Sequence, residues 1–92
     1  PMSEYWHKRA QEAYLSIKAL KGEERANRAK NDIWGLFGDH PTWRQAAEML
    51  DQIKEDVFEK ATLDELVAYR IWLQARNRRQ EMARPKPKMA KK

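Results

Sequence analysis

Apolar residues recur three and four positions apart along most of this chain, the spacing that lines one face of a helix. Val, Ile and Thr are few, while Ala, Glu, Lys, Arg, Gln and Leu dominate, which favours helix throughout. Ninety-two residues suffice for one domain with a modest core but not for two. The sequence therefore predicts an all-α protein: a small bundle of three to four helices over residues 2–75, with an extended basic C-terminal helix and tail over residues 76–92. Pro1 ahead of Met2 reads as a remnant of tag cleavage and is set aside.

Four helical stretches follow from the pattern. In the first, residues 3–21, Ser3 is a fair N-cap and Trp6, Ala10, Ala13, Ile17 and Leu20 form the stripe, widened by Tyr14. Gly22 either ends this helix or loosens it. The second, residues 23–37, carries Ala26, Ala29, Ile33 and Leu36/Phe37. Gly38-Asp39-His40-Pro41 is the clearest break in the chain. The third starts at Thr42, whose spacing to Gln45 fits a capping box, or at Pro41 in the first helical position. Its inner face is Trp43, Ala46/Ala47, Leu50, Ile53 and Val57. A second capping box, Thr62 to Glu65, marks a bend and opens the fourth helix. There Leu63, Leu66, Val67 and Ile71 are expected to face inward. Apolar periodicity fades after Ala75, and Pro85 and Pro87 forbid helix beyond Arg84.

The charge is unevenly placed. Residues 76–92 hold eight cations (Arg76, Arg78, Arg79, Arg84, Lys86, Lys88, Lys91, Lys92) against Glu81 alone, a net +7. The first 75 residues hold eleven Lys/Arg against thirteen Asp/Glu, a net −2. A run of fixed cations binds polyanions by releasing their counterions, whatever the base sequence. If six of the eight met phosphates, log affinity would fall with log salt with a slope of about −5. The bland counterpart is a solubilising tail, and an anionic membrane surface is a further possible target.

Four tryptophans, Trp6, Trp34, Trp43 and Trp72, are many for this length. Trp6, Trp34 and Trp43 fall on or beside predicted inner faces. Trp72 lies between Ile71 and Leu73, so one of the three must point away from the stripe, and it precedes the first tail cation by one turn. Trp72 is therefore the candidate exposed anchor for a partner.

Nothing in the chain spells a reaction. Cysteine is absent, which removes thiol nucleophiles and Cys-based zinc sites and is compatible with a reducing compartment. Neither His7 nor His40 has a partner set that spells a known site, and both read as surface or capping residues. The three glycines are spaced as helix breakers, not as a phosphate loop. Asp51, Glu55 and Glu59 share a helix face, more simply a solvated face than a metal site. The helix after the Gly38–Pro41 break carries three cations against five anions, which argues against its entry into a DNA groove. No segment reads as a membrane span or a signal peptide. No catalytic residue, metal ligand or cofactor is expected.

The sequence thus predicts a non-enzymatic, cytoplasmic accessory or regulatory protein. It would bind nucleic acid without sequence specificity, or a nucleoprotein complex, through the basic extension. The rival is a small protein-binding inhibitor or modulator of phage or plasmid type, docking on a larger enzyme, whether or not that enzyme processes nucleic acid. An acidic face and a basic tail on one chain also allow a homo-oligomer.

Overall fold

The computed structural model describes residues 2–38 and 40–83. It is all-α, with four helices in order: α1 (Met2–Lys21), α2 (Glu23–Leu36), α3 (Trp43–Glu59) and α4 (Leu63–Ala83). The tail positions Arg84, Lys86, Lys88, Lys91 and Lys92 lie outside the described residues.

The breaks have local causes. Gly22 stands between α1 and α2 with φ of 100°, a backbone that residues with a Cβ rarely adopt. A Cβ there would meet nothing within 4 Å, so the position needs glycine for its dihedral and not for space. At α3, the Thr42 hydroxyl accepts from the Gln45 backbone N–H at 3.1 Å, and the Gln45 side chain accepts from the Thr42 N–H at 2.9 Å. Thr42 is therefore the cap, and Pro41 lies outside the helix. The second box is equally complete: Glu65 N–H donates to the Thr62 hydroxyl at 3.1 Å, and Thr62 N–H donates to the Glu65 carboxylate at 3.0 Å. One expectation shifts: α1 already begins at Met2, so Ser3 lies within its first turn and does not cap it.

The side-chain pairs fix the directions of the helices. Trp6 and His7 meet Arg44 and Trp43, while Ser16 reaches Tyr69, which stacks edge-on against Phe58. Hence α3 runs parallel to α1. Lys21 pairs with Glu65, Ser16 with Tyr69 and Glu12 with Arg76, so α4 runs antiparallel to α1. α1 packs against all three other helices, and most extensively against α3.

Among the described residues the buried apolar core comes entirely from α1, α2 and α3. Six of its eleven members are alanine (Ala10, Ala13, Ala26, Ala29, Ala46, Ala47), which lets helix backbones approach closely. Ile17, Leu20, Ile33, Leu50 and Val57 supply the remaining bulk. The aromatic rings of Trp6, Tyr14, Trp34, Phe37, Phe58 and Tyr69 are half-buried around this core.

α4 departs from expectation. Leu63, Leu66, Val67 and Ile71, expected inside, are exposed, Leu63 by 75 % and Ile71 by 61 %. The helix instead turns Glu65, Tyr69, Trp72 and Arg76 toward α1 and α3. The reason is that this stretch is apolar on two faces. Polar matching to α1 selects the aromatic one, because only that face presents groups opposite Lys21, Ser16 and Glu12.

Candidate nucleic-acid interface

Because α1 and α3 are parallel while α2 and α4 run back, four chain segments point toward one end of the bundle. These are the start of α1, the end of α2, the start of α3 and the end of α4. Residues 2–11, 30–38, 40–50 and 75–83 carry seven Lys/Arg against four Asp/Glu, a net +3. The remaining described residues, 12–29 and 51–74, carry seven against nine, a net −2. Two of the seven cations, Arg9 and Arg76, are paired across this division with Asp51 and Glu12, which leaves five against four at this basic end, with the exposed Arg78 and Arg79 at the close of α4 among them.

The basic end is also aromatic. The His7 ring lies 4.4 Å from Trp43, and Trp43 meets Trp34 edge-on at 6.2 Å. The Arg44 guanidinium stands 5.4 Å above Trp6, and the Lys30 ammonium 6.0 Å from the Trp34 ring centre. Both are within reach of a cation–π attraction. Between α1, α2 and α3 a mostly apolar open cleft of about 390 Å³ is walled by His7, Tyr14, Trp34 and Trp43, with Ala10 and Leu50 beneath and Gln11 and Lys30 at its edges. The Tyr14 hydroxyl donates to the Asn27 side-chain oxygen at 2.5 Å, which fixes that wall. This volume falls within the range of small-ligand sites.

Several charged groups near this end are already engaged, and Arg44 donates to Glu48 at 3.2 Å. Arg9 donates to the Tyr5 hydroxyl at 2.9 Å and to Asp51 at 3.0 Å, and these two partners, Tyr5 first, hold its pKa above the ordinary value. Asp51 also lies 4.0 Å from Lys54, so the expected carboxylate face of Asp51, Glu55 and Glu59 is split at its first member. Among the described residues no group of three or more His, Asp or Glu side chains is arranged to hold a metal ion. No described helix is long and apolar enough to cross a membrane.

The three described tail arginines do not behave alike. Arg76 turns inward, bonded to Glu12 and with its guanidinium 5.5 Å over the Trp72 ring. Arg78 and Arg79 are exposed. Trp72, the candidate exposed anchor, is half-buried, with its ring 5.6 Å from Tyr69 and Arg76 above it. The most open of the four tryptophans is Trp43, at 41 % exposure. Its place in the stripe pointed inward, but it occupies the first turn of α3, at the rim of the bundle. Trp43, Trp34, His7, Arg44 and Lys30 come from three helices, and no linear spacing could have joined them.

No family model, curated protein or solved structure matches this chain.

Proposed function

We propose that this protein is a non-enzymatic accessory or regulatory factor that binds nucleic acid, without sequence specificity, through its basic end. One observation carries the reading: the helix that leads into the cationic tail runs toward the end of the bundle at which the half-open rings of Trp34 and Trp43 and the exposed Lys30 lie. Arg78 and Arg79, with Arg84, Lys86, Lys88, Lys91 and Lys92 beyond them, supply charge for phosphates. Trp43 offers an exposed ring beside the apolar cleft, a surface on which an unpaired base stacks. Lys30, at the edge of the same cleft, is placed for an adjoining phosphate.

Fluorescence anisotropy with a labelled single-stranded oligonucleotide and the matching duplex tests this. Truncation after Ala83 combined with Arg78→Ala and Arg79→Ala removes most of the affinity for both. Trp43→Ala weakens the single strand by roughly tenfold, in line with the ~1–3 kcal/mol of a stacked base, and leaves the duplex nearly unchanged. Equal binding by all three proteins contradicts the proposal.

The alternative, a small modulator docking on a larger nucleic-acid-processing enzyme, is favoured by the anatomy of the same cleft. A half-exposed tryptophan over an apolar hollow is the kind of site where binding energy between proteins concentrates. On that reading Trp43→Ala abolishes capture of one stoichiometric protein partner after nuclease treatment, and oligonucleotide affinity is indifferent to it.

A further inference from the structure

α4 carries a second apolar face that nothing in the described fold covers. Leu63, Val67 and Ile71 follow at i, i+4 and i+8, on the side away from Tyr69, Trp72 and Arg76. Their exposures are 75 %, 51 % and 61 %, with Leu66 at the margin at 37 %. An apolar stripe along a helix is ordinarily the face that packs on a partner. This stretch is packed on one side only, although α4 has a complete cap and three polar ties to α1.

We infer that this face is a homodimer interface, in which α4 of one copy packs antiparallel on α4 of a second. Charge selects both the occupant and its direction. Around the start of α4, residues 55–65 carry Glu55, Asp56, Glu59, Asp64 and Glu65 against Lys60, a net −4. Toward its end, residues 70–82 carry Arg70, Arg76, Arg78 and Arg79 against Glu81, a net +3. Glu65 and Arg76 are engaged with α1, so the charge offered to a second copy is Asp64 with Glu55 and Glu59 of the adjoining end of α3 on one side and Arg70, Arg78 and Arg79 on the other, a pattern whose best complement is itself reversed. A parallel pair would set the arginines side by side and align the two helix dipoles unfavourably. With the two-fold axis at Val67, Val67 meets its own copy and Leu63 meets Ile71 of the second copy. The apolar residues are then paired among themselves. Arg78 and Arg79 extend toward the acidic end of the other copy, and Trp43 and the aromatic cleft stay open. Arg78 and Arg79 are shared with the proposed nucleic-acid surface, so dimerisation is read in the absence of oligonucleotide.

Few side chains take part, compared with the ~20–30 residues a side of a standard interface, so the dimer is a weak one with a micromolar dissociation constant. Sedimentation equilibrium across roughly 5–500 μM is expected to show a reversible monomer–dimer equilibrium. Val67→Glu, which keeps a good helix former at an exposed site, is expected to raise the dissociation constant at least ~tenfold, with helix content by circular dichroism unchanged. Leu36→Glu, at an exposed apolar site on α2, is expected to leave it unchanged. A wild-type chain that is monomeric throughout overturns the inference and leaves the α4 face to some other protein. So does a dimer indifferent to Val67→Glu.

Direction has its own readout, because the chain contains no cysteine. Under mild oxidation Val67→Cys is expected to couple to itself. Leu63→Cys and Ile71→Cys are expected to couple only when mixed with each other. If each of the three couples to itself, the helices are parallel and the antiparallel geometry is wrong.

Discussion

The α1–α3 unit and α4 are similarly helical and of similar composition, yet they are held by different forces. α1, α2 and α3 share a core in which Ile17 and Ile33 are fully buried and six alanines bring the backbones together. α4 buries no side chain completely among residues 63–82. It is fastened by the Thr62–Glu65 cap, the Lys21–Glu65 and Glu12–Arg76 ion pairs, and the Tyr69 ring between Phe58 and Trp72. Exposed ion pairs contribute little, roughly 0–1 kcal/mol each, whereas a buried aliphatic side chain contributes several times that. The contrast separates the part that specifies the fold from the part that presents charge and apolar surface to partners.

The largest effect falls in the core. Ile17→Ala, at a position with no exposure, should destabilise by roughly 2–5 kcal/mol. That is a large fraction of the ~5–15 kcal/mol available to a domain. Urea unfolding should show all helices lost together at a lower midpoint. Loss of α4 alone would mean that the core is not where stability resides.

A smaller and local effect is expected at the α3–α4 turn. Thr62→Ala removes the cap and should cost about 1 kcal/mol. Hydrogen exchange should quicken across α4 while amides around Ile17 and Ile33 keep their protection. Uniform quickening in all four helices would show that α4 is not a separate cooperative unit.

The smallest effect concerns pH. The Thr62 backbone N–H first, and the Lys21 ammonium next, hold the Glu65 carboxyl below its usual value of 4.5. Its folded pKa is depressed, so its contribution is present above pH 4.5 and is lost as pH falls from there through the folded value. Thermal melts at falling pH should therefore show α4 loosening first below pH 4.5. Glu65→Gln, which keeps an accepting oxygen for Thr62, should flatten that acid limb. An unchanged limb would place the acid sensitivity elsewhere.

Much of the α1–α3 unit was legible because its information is local. The stripe from Ala10 to Leu20, the breaks at Gly22 and Gly38, and both capping boxes depend on residues within a few positions of one another. α4 was misread because its sequence offers two apolar faces at the same period. Which of them docks is decided by Lys21, Ser16 and Glu12, more than forty residues away. Trp43 was misplaced for a related reason. Its register in the stripe is correct, but a residue in a first turn is covered only where the neighbouring helices extend past it. The net charge of residues 76–92 could be read directly, whereas the inward turn of Arg76 onto Trp72 and Glu12 required the fold.

The central claim, that the arginines closing α4 and the cations that follow them bind a polyanion, is tested most directly by the salt dependence of the affinity for a duplex oligonucleotide. If about six cations meet phosphates, log affinity should fall with log salt with a slope of about −5, and truncation after Ala83 should make it clearly shallower. Absence of binding at low ionic strength, or a slope near zero that truncation leaves unchanged, would contradict it.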